Sequence, residues 1–263
     1  MCLIACAWKA HPRYRLVVAA NRDEHHSRPT APAAFWEDAP QLFAGRDLKD
    51  RGTWMGVFNG GRAGPRFAAL TNYRDPTEFK AGAPTRGALV SNFLLEDTRP
   101  MDYADSLGAV QYMYNGFNLL VGDADALWYV GNRAGAPREV PPGLHGLSNA
   151  LLDTPWPKAV GLEGALAAAL ESTTDAMALT DSLFSALAER TPAADAQLPD
   201  TGVGLARERE LSPRMIVAPL YGTRSATVLL IDQAGNIEFA ERSFSPDGTV
   251  TAEVRRAIPP ASS

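Results

Sequence analysis

The chain has 263 residues, 46% of them hydrophobic and 21% charged, with a formal net charge of −5. That length can bury a sizeable core, and the acidic balance disfavours nucleic-acid binding and a polybasic membrane anchor. No apolar run approaches the roughly 18 residues that span a bilayer, and the opening MCLIACAWKA lacks the basic region of a secretion signal. No integral membrane segment and a cytoplasmic location are therefore expected.

Leu3–Trp8 and Tyr14–Ala20 read as a hairpin around His11-Pro12-Arg13. The second strand is apolar on both faces, as in a strand covered from two sides. It is expected to end in the polar cluster Asn21-Arg22-Asp23-Glu24-His25-His26. After a proline-rich stretch, Thr53–Phe58 and Phe67–Asn72 form a second strand pair, turned by residues 59–65. The glycines of that turn precede no helix, so a phosphate cradle is not expected there.

Arg86–Asp97 and Asp102–Met113 read as helices, with Leu89, Phe93 and Leu94 marking an apolar face. Asn118–Gly122 and Ala126–Val130 make a short hairpin, and Gly143–Asn149 a strand or loop ending in Ser148-Asn149. Ala159–Glu171 and Asp175–Arg190 are alanine- and leucine-rich helices, the second stopped by Thr191-Pro192. A polar loop over Thr191–Gly204 follows, then strands at Met215–Ala218, Ser225–Ile231 and Ile237–Arg242. Strands, then helices, then strands again disfavour a doubly wound parallel sheet. The expectation is an α+β fold of mainly antiparallel sheets with helices on their outer faces, one domain over 1–256 and a disordered tail over 257–263.

Cys2 follows the first methionine directly. Removal of Met1 would leave a thiol and an α-amine on one residue, and that amine, with a pKa of roughly 7.7–8.0, can take the thiol's proton. On an extended strand Cys2 and Cys6 share a face about 13 Å apart at ~3.3 Å per residue, too far for a disulfide. Cys6 is expected in the core of a protein kept in a reducing compartment. Chemistry at Cys2 also needs a cation near the thiolate, an acceptor for the amine and donors for an oxyanion. Arg22, Asp23, Asn72, Asn149 and Arg224 stand at strand ends, where a site on a sheet rim would form. Asparagines also cap turns, and arginines also brace ion pairs, so a structural role stands beside the chemical one. His25 and His26 diverge on an extended chain and lack partners at ligand spacing, so no metal site is expected.

Met1-Cys2, Asn21-Arg22-Asp23-Glu24, Gly52-Thr53-Trp54-Met55-Gly56, Leu70-Thr71-Asn72-Tyr73-Arg74, Tyr114-Asn115-Gly116-Phe117-Asn118, Gly146–Asn149 with Asp153–Lys158, and Tyr221–Ser225 occur in order from residue 2 to about 245. Together they resemble the NRDE family, also called the transport and Golgi organisation protein 2 family. More remotely they resemble cysteine N-terminal nucleophile hydrolases such as penicillin V acylase and bile salt hydrolase. The resemblance implies a four-layer αββα sandwich, with Cys2 as nucleophile and base, Arg22 beside the thiolate and Asp23 holding the α-amine. It gives Asn72 and Asn149 to the oxyanion hole and amine orientation, and Arg224 to the charge network. Here Arg22 and Asp23 are adjacent, whereas the acylases separate them. Neighbours on a strand point to opposite faces, which leaves room in the site for one of the two.

Three functions follow. One is hydrolysis of a C–N amide or a thioester through acyl-Cys2, on a small-molecule acyl substrate and without a cofactor. The second is binding and trafficking of haem, or of acyl-CoA or lipid, in the same pocket. The third is a structural adaptor.

Overall fold

β1 (Cys2–Trp8) and β2 (Tyr14–His25) form the expected hairpin, with Cys2 opposite Arg22. The computed structural model describes residues 2–60, 64–173 and 175–260, so Met1, residues 61–63 of the expected turn and the last three residues of the expected tail lie outside it. Strand β2 does not stop at the polar cluster. Asn21 to His25 stay in the ladder because β11 (Tyr221–Asp232) pairs along them, and the Asn21 amide is spent on the carbonyls of Leu187 and Arg214.

Two antiparallel sheets result. Edge to edge, the first runs β10 (Gly143–Leu147), β1, β2, β11, β12 (Ile237–Phe244) and β13 (Val250–Ile258). In the second, β3 (Thr30–Trp36), β4 (Ala39–Asp47), β5 (Met55–Phe58), β6 (Arg66–Asn72), β7 (Phe117–Gly122), β8 (Leu127–Gly131) and β9 (Arg138–Glu139) lie in chain order.

Period-two alternation sorts the side chains into layers. Ile4, Cys6, Trp8, Val18, Leu229 and Phe239 meet Phe43, Val57, Phe67 and Leu120 between the sheets. Leu3, Ala5, Val17, Ala19 and Val228 face the other way. They are covered by α3 (Pro157–Ser172) and α4 (Ala176–Leu187), through Leu162, Leu166, Leu183 and Phe184. Pro157 opens α3 at a position that needs no donor, and Asp175 caps α4 by accepting from the Ala178 amide. On the outer face of the second sheet, α1 (Gly87–Leu95) and α2 (Pro100–Ser106) bury Leu89, Phe93 and Tyr103. The arrangement is the four-layer αββα sandwich. No helix among the described residues is long and apolar enough to cross a membrane.

Several expected boundaries move. The proline-rich stretch holds β3 and β4, where Pro32 falls in a ladder irregularity between Ala31 and Ala34 and Pro40 at a strand start. Met215–Ala218 is not a strand. Pro213 and Pro219 remove donors on either side, and its main chain bonds irregularly, Met215 to Glu189 and Ile216 to Thr223. A short helix, α5 (Leu205–Glu210), follows the polar loop. Residues 257 and 258, expected in a loose tail, are the last two of β13, where Ile258 packs between the sheets.

Candidate functional site

The register of the first sheet sets five residues side by side: Cys2 on β1, Arg22 on β2, Ser225 on β11, Ser243 on β12 and Ala252 on β13. They form one pleat row, and all five line a cavity of about 410 Å³. The opposite wall comes from Thr30, Gly45, Trp54 and Asn72 of the second sheet and its connections, and from residues 85–87 at the start of α1. The start of α1 is fixed by a close crossing. A Cβ on Gly52 would lie 2.6 Å from the Gly87 carbonyl carbon, and the Thr53 amide donates to the Gly87 carbonyl. Only bare backbone fits there, and it delivers Arg86 to the cavity.

Cys2 is 6% exposed, and burial pushes its thiol up. Arg22 and the Asp23 main-chain amide act in the opposite direction. Arg22 shares the Cys2 face and donates to the Thr30 hydroxyl at 3.2 Å. Asp23 also lines the cavity, so both members of the pair reach it, although its side chain has the opposite parity to Arg22. Its Oδ1 accepts from the Thr223 hydroxyl at 2.7 Å. Burial pushes the Asp23 carboxyl up, against a downward pull led by Lys158. Lys158, on α3, is buried in its turn: its ammonium is pushed down to about 8 and donates to the Leu211 carbonyl.

Asn72 lines the cavity at the end of β6. Asn149 does not line it. Its Nδ2 donates to the Asn72 carbonyl at 2.9 Å, and its own carbonyl accepts from the Arg74 amide, so it ties the end of β10 to the end of β6. Ser148, beside it, reaches the Cys2 carbonyl. Arg224 lies at the bulge between Thr223 and Ser225. Its Nη1 donates to the carbonyls of His25, His26 and Arg28, which holds the loop after β2 against the cavity rim. Cys6 packs between the sheets as expected, and burial pushes its thiol up to about 12.

Sequence reasoning missed three features. Arg86 has no motif that marks it. Arg74 and Glu208 form a buried ion pair behind Asp23, and Glu208 also accepts from Thr201. Glu241 interrupts the inward alternation of Ile237 and Phe239, a pattern that could have exposed it. It accepts from the Ala33 amide at 2.7 Å and so staples β12 to β3 across the sandwich. Burial raises its carboxyl to about 7.

Glu241 sets a pH dependence. A carboxyl raised in the folded chain stabilises most below its unfolded pKa of about 4.3, and that contribution is lost as pH rises through about 7. Glu241→Gln, which can still accept from Ala33, is expected to flatten the fall. Urea unfolding at pH 5 and pH 8 should show the native chain losing about 1–3 kcal/mol more than the variant. Equal losses would refute the assignment.

A family profile described as Transport and Golgi organisation 2 matches residues 1–246. A cattle protein (Bos taurus) named Transport and Golgi organization protein 2 homolog is 36% identical over 264 residues, 93% of each chain. The human protein of that name is 36% identical over 265 residues, again 93% of each chain. A fruit-fly protein (Drosophila melanogaster), Transport and Golgi organization protein 2, is 26% identical over 273 residues, with the same coverage.

Proposed function

The chain belongs to the Transport and Golgi organisation 2 family, and on that footing we propose a hydrolase that cleaves a non-peptide C–N amide, or a thioester, of a small acyl substrate through an acyl-Cys2 intermediate. The observation that carries this reading is the position of Cys2: at the head of β1, on the floor of the cavity, with Arg22 directly opposite. A buried thiol held above its ordinary pKa needs a base, and the α-amine exposed by removal of Met1 is already on the same residue. The thiol gives its proton to that amine and Sγ attacks the acyl carbonyl. The C–N bond breaks, and the leaving amine takes the proton. Water then hydrolyses the thioester, releasing the acid and restoring the thiol. Arg22 steadies the thiolate. Asp23, which lines the cavity beside Arg22, acts through charge on the amine. The proposed setting is the cytoplasm.

Intact mass before and after brief exposure to limiting iodoacetamide tests the proposal. The expected result is a chain lacking Met1 and alkylated once, at Cys2 ahead of Cys6. Retained Met1 would remove the base and with it this mechanism.

A further inference from the structure

Five arginines line the cavity, and three are committed. Arg28 pairs with Asp47 and Asp50, Arg46 is bidentate to Asp38, and Arg224 holds three loop carbonyls. Arg22 and Arg86 differ. Neither makes an ion pair among the described residues: Arg22 donates to the Thr30 hydroxyl and Arg86 to the Gly116 carbonyl, both neutral oxygens. The carboxylates within electrostatic reach, Glu24 and Glu241, each accept from a main-chain amide, His25 and Ala33, and neither forms an ion pair with Arg22 or Arg86 among the described residues.

The two guanidinium groups come from opposite sides. Arg22 rises from the first sheet next to Cys2, and Arg86 is carried in at the start of α1 by the Gly52–Gly87 crossing. Burial pushes the Arg86 guanidinium down, and charge at Cys2 and Glu24 pulls it back up. Guanidinium groups hold their charge at any working pH, and their planar forks match carboxylate and phosphate oxygens. Guanidinium groups held only by neutral oxygens keep donors available to an anionic ligand, and an anion in contact with them offsets part of the cost of their burial.

We propose that Arg22 and Arg86 form an anion clasp across the cavity at Cys2, so that the site takes a substrate carrying a carboxylate or phosphate close to the bond attacked. This deepens the reading of Cys2 as nucleophile and rests on it for the reaction, though not for the binding.

Iodoacetate and iodoacetamide deliver related alkyl groups to a thiol, one with a negative charge and one without. The measurement is the ratio of their rates at Cys2, read by peptide mass in the native and in the urea-unfolded chain. The ratio is expected to be roughly tenfold higher in the native protein and to fall as salt is added. Arg86→Gln and Arg22→Gln are expected to lower it toward the unfolded value. A native ratio equal to the unfolded one overturns the clasp, whether or not the variants fold. Folded variants with an unchanged ratio overturn it as well.

Millimolar inorganic phosphate or succinate should slow carboxymethylation of the native protein, and the better protector tells phosphate from carboxylate. Protection by neither counts against the clasp. If iodoacetamide leaves Cys2 untouched, the nucleophile reading falls by itself. The clasp is then read from melting temperature, which phosphate or succinate raises in the native chain and not in Arg86→Gln. No rise in the native chain refutes it.

Discussion

Cys2→Ala is expected to abolish acylation of the protein by an activated acyl thioester, a loss of at least about 1,000-fold, because the attacking atom is gone. The fold should survive. Alanine fits the Cys2 position between the sheets, and removing one sulfur from a buried site costs on the order of 1 kcal/mol. Cys6→Ala is the matched control. It removes a thiol from the same face of the same strand and should leave acylation intact. Mass spectrometry of the three proteins after exposure to the thioester decides: Cys2→Ala acylated as fast as the native chain would end the hydrolase reading.

The largest stability effect is expected at Glu208, far from any reacting atom. Arg74 and Glu208 are 6% and 2% exposed at their side chains, so Glu208→Ala removes the carboxylate ion-paired with a buried guanidinium and the acceptor of two Thr201 donors. Such a break costs about 3–5 kcal/mol. Replacing both partners with apolar residues of similar volume, Arg74→Met with Glu208→Leu, should recover much of that, since the guanidinium that has lost its ion pair is removed too. Urea midpoints of the native, single and double variants measure it. A single variant within about 1 kcal/mol of native would show that water or a neighbour already screens the pair.

Continuous apolar runs and helical stripes were legible. β1, β6, β7 and the second half of β11 are short apolar runs buried on both faces, β12 opens with inward Ile237 and Phe239 around exposed Glu238, and α3 and α4 carry a stripe with period near 3.6. β3 and β4 were not, because prolines and alanines blur the pattern on edge-side strands. β13 is an edge strand with many exposed and charged residues, so the sequence marks no strand over 250–256 and puts 257 and 258 in a tail until its partner β12 is known. At the site, the family resemblance sets Arg22 beside Cys2, and strand parity adds only that Arg22 and Asp23 point to opposite faces. Arg86 was not legible, for a different reason: its position depends on a crossing of two glycines far apart in the chain. Glu241 leaves a mark, the break in the inward alternation of β12, but its partner Ala33 lies at a ladder irregularity of the other sheet that the sequence does not show. Asn149 was legible as a residue but not as a job: it binds main chain between the sheets and stays outside the cavity wall.

The pleat row that floors the cavity also works as a ruler. Neighbouring strands are about 4.8 Å apart, so Arg22, Ser225, Ser243 and Ala252 stand as graduations roughly 5, 10, 14 and 19 Å from the strand that bears the thiol. A bulkier side chain at Ser225, Ser243 or Ala252 closes the floor at its own mark. If the cavity takes the acyl substrate proposed above, the chain length it admits can be stepped strand by strand, with Cys2 and Arg22 left unchanged.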